Sequence, residues 1–163
     1  MITKLKNANV DFVYWGGFHP EAGAILRQGA DQGFKPVFMG ADGVDNADLF
    51  AIAGDAAEGV LATVPMDFSA DPKNAAIVEA IKAKKQDPNG PFVMPAYSAV
   101  QVLAEAANRS KSDDPDTIAK ELRKGEYETA IGKIAFEENG DLKDFHSVVY
   151  ELHADGRKIL KSQ

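Results

Sequence analysis

Few residues in this chain could carry covalent chemistry. The three histidines, His19, His146 and His153, share no ligand-like spacing, and no HExxH pair exists to hold a metal. The absence of cysteine excludes a thiol nucleophile, a disulfide framework and a thiolate-ligated zinc site. No GxSxG elbow and no Walker loop occurs. Gly40-Ala41-Asp42-Gly43 has the glycines of a phosphate loop but lacks the lysine and hydroxyl that hold phosphate and magnesium. With no nucleophile–base pair, the residues point to binding rather than catalysis, with no catalytic residue, metal or cofactor expected.

Asp42 is the carboxylate of most interest. It should sit just past the carboxyl end of a strand at Val37–Met39, where open α/β sheets bind ligands. A carboxylate there can hold a cationic group by a charge-assisted hydrogen bond. The plainer alternative is an Asp-Gly turn that bonds its own backbone. Trp15, Phe18 and His19 follow an earlier strand at the same edge, and either wall an apolar pocket or pack beneath the next helix. Phe92 and Tyr97 carry the same two readings.

These residues must be positioned by alternating strands and helices. Val10–Trp15, closed by Gly16-Gly17, reads as a buried strand. Pro20 and Glu21 open a helix that Gly33 ends. Pro36–Met39 is a second strand, Asn46–Ala53 a short helix and Gly59–Val64 a third strand. That rhythm predicts βαβ units and a parallel sheet, an α/β fold. Pro65–Asp71 breaks it and reads as a crossover. Asp71-Pro72 opens a helix with Ile77, Val78 and Ile81 on its apolar face. Pro95 opens the longest helix, with Val100, Leu103 and Ala107 as the expected buried stripe. Asp114-Pro115 caps a helix over Thr117–Lys124. Strands are expected at Thr129–Phe136 and Ser147–His153, with turns at Asn139-Gly140 and Asp155-Gly156.

Composition narrows the partners. The 163 residues suit roughly one domain of ordinary size. Hydrophobic residues make up 45% and charged residues 26%, ordinary globular usage with enough apolar mass for a core. A net charge of −7 repels phosphate backbones and anionic lipid, so nucleic acid and membrane surfaces are poor partners. No stretch approaches the ~20 apolar residues of a membrane span. Met1-Ile2-Thr3-Lys4-Leu5-Lys6 lacks the apolar run and cleavage site of a signal peptide.

Longer strings carry a family resemblance. Asp11–Glu21, Phe38–Val44, Ala53–Gly59, Tyr97–Gln101, Asn139–Lys143 and His153–Gly156 together resemble the leucine/isoleucine/valine-binding proteins of branched-chain amino-acid transporters. The likeness runs through essentially the whole chain, but resembles only the C-terminal half of such a protein. It implies a type 1 periplasmic-binding-protein fold in incomplete form: two lobes joined by three crossovers, closing on an amino acid. Residues 1–64 would then form part of the C-terminal lobe, 65–145 would return to the N-terminal lobe, and 146–163 would return to the first.

The resemblance also implies roles. Asp42 matches the family carboxylate that takes the ligand's α-ammonium, at a position where the family often has glutamate. Aspartate is shorter by one methylene, ~1.5 Å, which favours a water-mediated contact. Phe18 and Phe92 match aromatics lining the side-chain pocket. The implied partners are a branched-chain amino acid, bound by the full-length parent, and the membrane permease subunits of the transporter; the implied compartment is the periplasm. Ligand binding by this half alone is expected to be impaired, because the family's carboxylate clamp lies in the N-terminal half. The alternative is a remnant that only assembles. Unpaired edges beside Val10–Trp15 and Thr129–Phe136, and an uncovered face on the helix Pro95–Asn108, lead to the expectation of a homodimer.

Overall fold

A computed structural model describes residues 1–162. These form two compact units, one comprising Met1–Pro65 with the segment from Ser147 onward, the other Met66–His146.

In the first unit, helix α1 (Ile2–Asn7) leads into strand β1 (Phe12–Trp15), helix α2 (His19–Asp31), strand β2 (Val37–Gly40), helix α3 (Asp48–Ala53) and strand β3 (Val60–Val64). Strands β6 (Val148–Leu152) and β7 (Lys158–Ser162) complete a sheet of order β1-β2-β3-β6-β7. The first three strands are parallel, as their spacing predicts. The pairs β3–β6 and β6–β7 are antiparallel, so the sheet is mixed. The hairpin turn at Asp155-Gly156 enforces the β6–β7 pairing, since a tight turn can join only antiparallel neighbours.

Alternation decides the two faces of the sheet. Phe38, Val60, Ala62, Val64, Val148 and Leu152 turn inward to a core that also holds Val44 and Leu49, all nearly inaccessible to water. Each of these apart from Ala62 contributes about 1.5–3 kcal/mol by leaving water. On the other face, Phe12, Tyr14 and Val37 are 47%, 56% and 53% exposed. Strand β1 is an edge strand.

The second unit has helices α4 (Ala75–Ala83), α5 (Val93–Ser110) and α6 (Pro115–Leu122), and a hairpin of β4 (Tyr127–Thr129) and β5 (Gly132–Ile134). Its core gathers Val102, Ala106 and Tyr127, with Ile118, Leu122, Ile134 and Phe136 packed against them. Two expectations are corrected here. The buried stripe of α5 is Met94, Ser98, Val102 and Ala106, whereas Val100 and Leu103 are 67% and 52% exposed and Ala107 is half-buried. The segment Thr129–Phe136 is not one strand, because the chain reverses at Ala130-Ile131. That turn is held from outside: Ala130 N donates to Gln101 Oε1 at 3.0 Å and Ile131 N to Ser98 Oγ at 3.2 Å. The Asn74 amide, fully buried, donates to the Phe68 and Ala130 carbonyls at 2.9 and 2.8 Å.

Candidate functional site

The site is built at the carboxyl ends of β1 and β2. Past Trp15 the chain turns through Gly16-Gly17, and the Trp15 indole Nε1 donates to the Phe18 carbonyl at 3.2 Å. A Cβ on Gly17 would lie 2.7 Å from that indole, so glycine alone lets the ring fold back over the turn. Phe18 is then the N-cap of α2, with extended backbone, and Pro20 fits the first turn because its missing N–H is not needed there.

The loop after β2 comes up against this turn. Ala41 N donates to the Trp15 carbonyl at 3.0 Å. A Cβ on Gly43 would stand 2.8 Å from the Gly17 carbonyl oxygen and 3.0 Å from Phe18 Cδ1. The closeness of the two loops therefore depends on Gly43, and it brings Asp42 into the neighbourhood of Phe18. Asp42 opens a single 3-10 turn, Asp42–Val44, and is exposed. Its Oδ1 accepts from Gly43 N at 2.9 Å, the local bond expected of an Asp-Gly turn. No ion pair to Asp42 is found among the described residues. The Phe18 ring is 70% exposed, which excludes the reading that it packs beneath α2.

The loop holds a second carboxylate with a different fate. Asp45 Oδ2 pairs with Lys158 Nζ of β7 at 2.7 Å, and the Asp45 side chain is only 6% exposed. Nothing in the sequence marks this pairing over 113 residues. It ties the loop to the sheet, whereas Asp42 has no ion pair among the described residues.

Phe92 belongs to the second unit. It precedes α5, accepts from Ala96 N at 2.9 Å through its carbonyl, and is 48% exposed. Tyr97, one turn along, is 42% exposed.

Sequence reasoning missed a charged cluster at the opposite, amino end of the parallel strands. His153 Nδ1 meets Glu58 Oε1 at 2.6 Å, and its Nε2 lies 3.1 Å from Glu151 Oε1. Ala154 N donates to Glu58 Oε2 at 3.0 Å, and Lys161 pairs with Glu151 at 2.9 Å. The His153 bond above all, with the Ala154 amide, holds the Glu58 carboxyl below its ordinary range. Lys161 does the same for Glu151. The available signal was the Glu151/His153 alternation, which puts the two on the same side of the extended chain as β6 ends, but the partner Glu58 lies 95 residues away. No group of three ligating side chains is placed to hold a metal among the described residues.

The carboxyl edge of a parallel-containing α/β sheet is where such folds take ligands. The family model described as "Periplasmic binding protein" matches residues 1–156, and the chain belongs to that family of binding proteins, which are not enzymes. It is 51% identical over 97% of its length to the leucine-, isoleucine-, valine-, threonine- and alanine-binding protein of Pseudomonas aeruginosa, of which it covers 42%. It is 50% identical over 96% of its length to the leucine-specific-binding protein of Salmonella typhimurium, again covering 42%. A solved leucine-binding protein from Thermotoga maritima superposes over 99% of this chain and 46% of its own, with a TM-score of 0.84 and 31% identity. The chain thus spans less than half the length of these relatives. No helix among the described residues is long and apolar enough to cross a membrane.

Proposed function

We propose that the chain is part of the solute-binding component of a periplasmic ABC transporter for leucine, isoleucine and valine. Asp42 receives the ligand's α-ammonium, Phe18 walls its side chain, and Phe92 is assigned a second wall on the resemblance alone. The membrane permease subunits of the transporter are the protein partners. One observation carries the reading: Asp42 is an exposed carboxylate with no ion pair among the described residues, at the carboxyl edge of the sheet beside an exposed aromatic ring. A carboxylate beside apolar surface at a sheet edge suits an ammonium group carried on an apolar body. Relatives at about half identity are named for binding these amino acids, which supports the same ligand class. Calorimetry decides it. A full-length parent should bind leucine, isoleucine or valine, and this chain alone should bind at least tenfold more weakly. A parent that binds none of the three would refute the reading.

A second reading concerns assembly. Phe12, Tyr14 and Val37 expose apolar surface beside the unpaired edge of β1. An apolar sheet face with an open edge is a template for another copy. On this reading the chain forms a homodimer with an interface above ~2,000 Å². Light scattering at micromolar concentration tests it, and a stable mass of 17.5 kDa would refute it.

A further inference from the structure

The first unit contains a cavity of about 400 Å³ at the end of the sheet opposite Asp42. Its apolar walls are Val13 of β1, Phe38 of β2, Leu26 and Ala30 of α2, and Phe34 from the loop that follows. The cavity exists because α2 turns small residues toward the sheet in its last turns. Enlarging Gly29 would crowd the loop, since a Cβ there would come 3.0 Å from the Phe34 carbonyl oxygen. Protein interiors are otherwise close-packed, and a cavity of ~150 Å³ lined by apolar side chains already admits benzene. The observed space is well beyond a packing defect and within the range of small-molecule sites.

Charge is placed at this cavity unevenly. Three charged residues line it: Lys35, before β2, and Asp55 and Glu58, before β3. Both Glu58 oxygens are occupied, by His153 and by the Ala154 amide. Asp55 has neither an ion pair nor a side-chain hydrogen bond among the described residues, and it is exposed. Lys35 is exposed too, and its flexible stem lets its charge remain in water. The free carboxylate beside an apolar hollow is therefore Asp55. We propose that this cavity is a second binding site, for a small apolar molecule bearing one ammonium group, with Asp55 as its charge partner. It shares no residue with the site at Asp42 and Phe18, so it stands whether or not the transport reading does.

The test is a two-dimensional amide NMR titration of the 163-residue chain with phenethylamine, with 2-phenylethanol as the neutral isostere. Phenethylamine at low millimolar concentration should shift the amides of Val13, Ala30 and Ala56 and leave those of Asp42 and Gly43 in place. Asp55→Asn should weaken phenethylamine by about three- to fivefold, the range of a partly exposed ion pair, and leave 2-phenylethanol unchanged. Ala30→Phe should fill the hollow and abolish both. If that variant loses its dispersed spectrum, the Asp55→Asn comparison decides alone. Equal binding of amine and alcohol, indifference to Asp55→Asn, or no shifts at all would overturn the proposal.

Discussion

The two ends of the first unit's sheet treat charge in opposite ways. At the amino end of the parallel strands, Glu58 is paired with His153 Nδ1 and a backbone amide and Glu151 with Lys161, while the buried His153 Nε2, 3.1 Å from Glu151, makes no hydrogen bond among the described residues. At the carboxyl end, Asp42 has only its own turn's amide and no ion pair among the described residues. Both ends need loops held close to the sheet, but the carboxyl end achieves this with glycines and with Asp45–Lys158. The paired end contributes to folding, while the unpaired end keeps a charge available. On this view substitutions should separate cleanly into those that change affinity and those that change stability.

The largest expected effect is on affinity. In a full-length parent, Asp42→Ala should cost branched-chain amino-acid binding about 2–5 kcal/mol, the loss expected when a buried charge is left without its partner. Its melting temperature should scarcely move, because Asp42 is exposed and outside the core. Calorimetry and a thermal melt on the same sample measure both. An affinity change under threefold would show that Asp42 is only a turn residue.

Lys158→Met should do the reverse. It leaves the nearly buried Asp45 carboxylate without its cation, at a cost of about 2 kcal/mol once the partial exposure of Lys158 is allowed for. Urea unfolding measures this. Affinity should follow only to the extent that the Asp42 loop shifts. A large affinity loss with unchanged stability would dissolve the distinction between the two carboxylates.

How much of this could be seen in the sequence depends on the range of the forces involved. Strands β1 to β3 and the starts of the helices were legible because glycine, proline and apolar alternation act locally. Asp42 was legible because it follows a readable strand by two residues. The α5 stripe was not, because that helix carries apolar residues on both faces: Val100 and Leu103 compete with Met94 and Val102, and two polar residues, Ser98 and Gln101, face inward. Their inward placement makes sense only once the Ala130-Ile131 turn they hold is known. The hairpin was missed for the same reason, since its turn residues are not turn formers and depend on a helix about thirty positions earlier. Glu58–His153 and Asp45–Lys158 are likewise long-range pairs with no local mark.

His153→Ala should have a smaller effect than Lys158→Met. Removing the imidazole leaves two carboxylates facing each other, but Glu58 is half exposed and can be hydrated again. A loss of about 1 kcal/mol is expected, with no change in ligand affinity. Differential scanning calorimetry reads the stability. A shift in affinity larger than that of Lys158→Met would mean that the amino end also supports the binding edge.

The smallest effect is that of pH, and its sign follows from the same cluster. The Glu58 carboxyl is held low by the His153 bond first and the Ala154 amide second, and the Glu151 carboxyl is held low chiefly by Lys161. A carboxyl with a depressed folded-state value stabilises the fold above its unfolded value, ~4.3 for glutamate. That contribution disappears as pH falls through the folded value, when both states carry the proton. Between about pH 5 and pH 3 the melting temperature of the first unit should therefore decline, while above pH 5 these two groups contribute no slope. Glu58→Gln should flatten the decline, because a neutral amide cannot be protonated in that window. Lys161→Met should flatten it as well, because it removes the cation that chiefly holds the Glu151 carboxyl low. Calorimetric scans at half-unit intervals compare the three proteins. If neither substitution flattens the acid slope, the amino end carries no stabilising charge, and the division of labour between the two ends of the sheet is wrong.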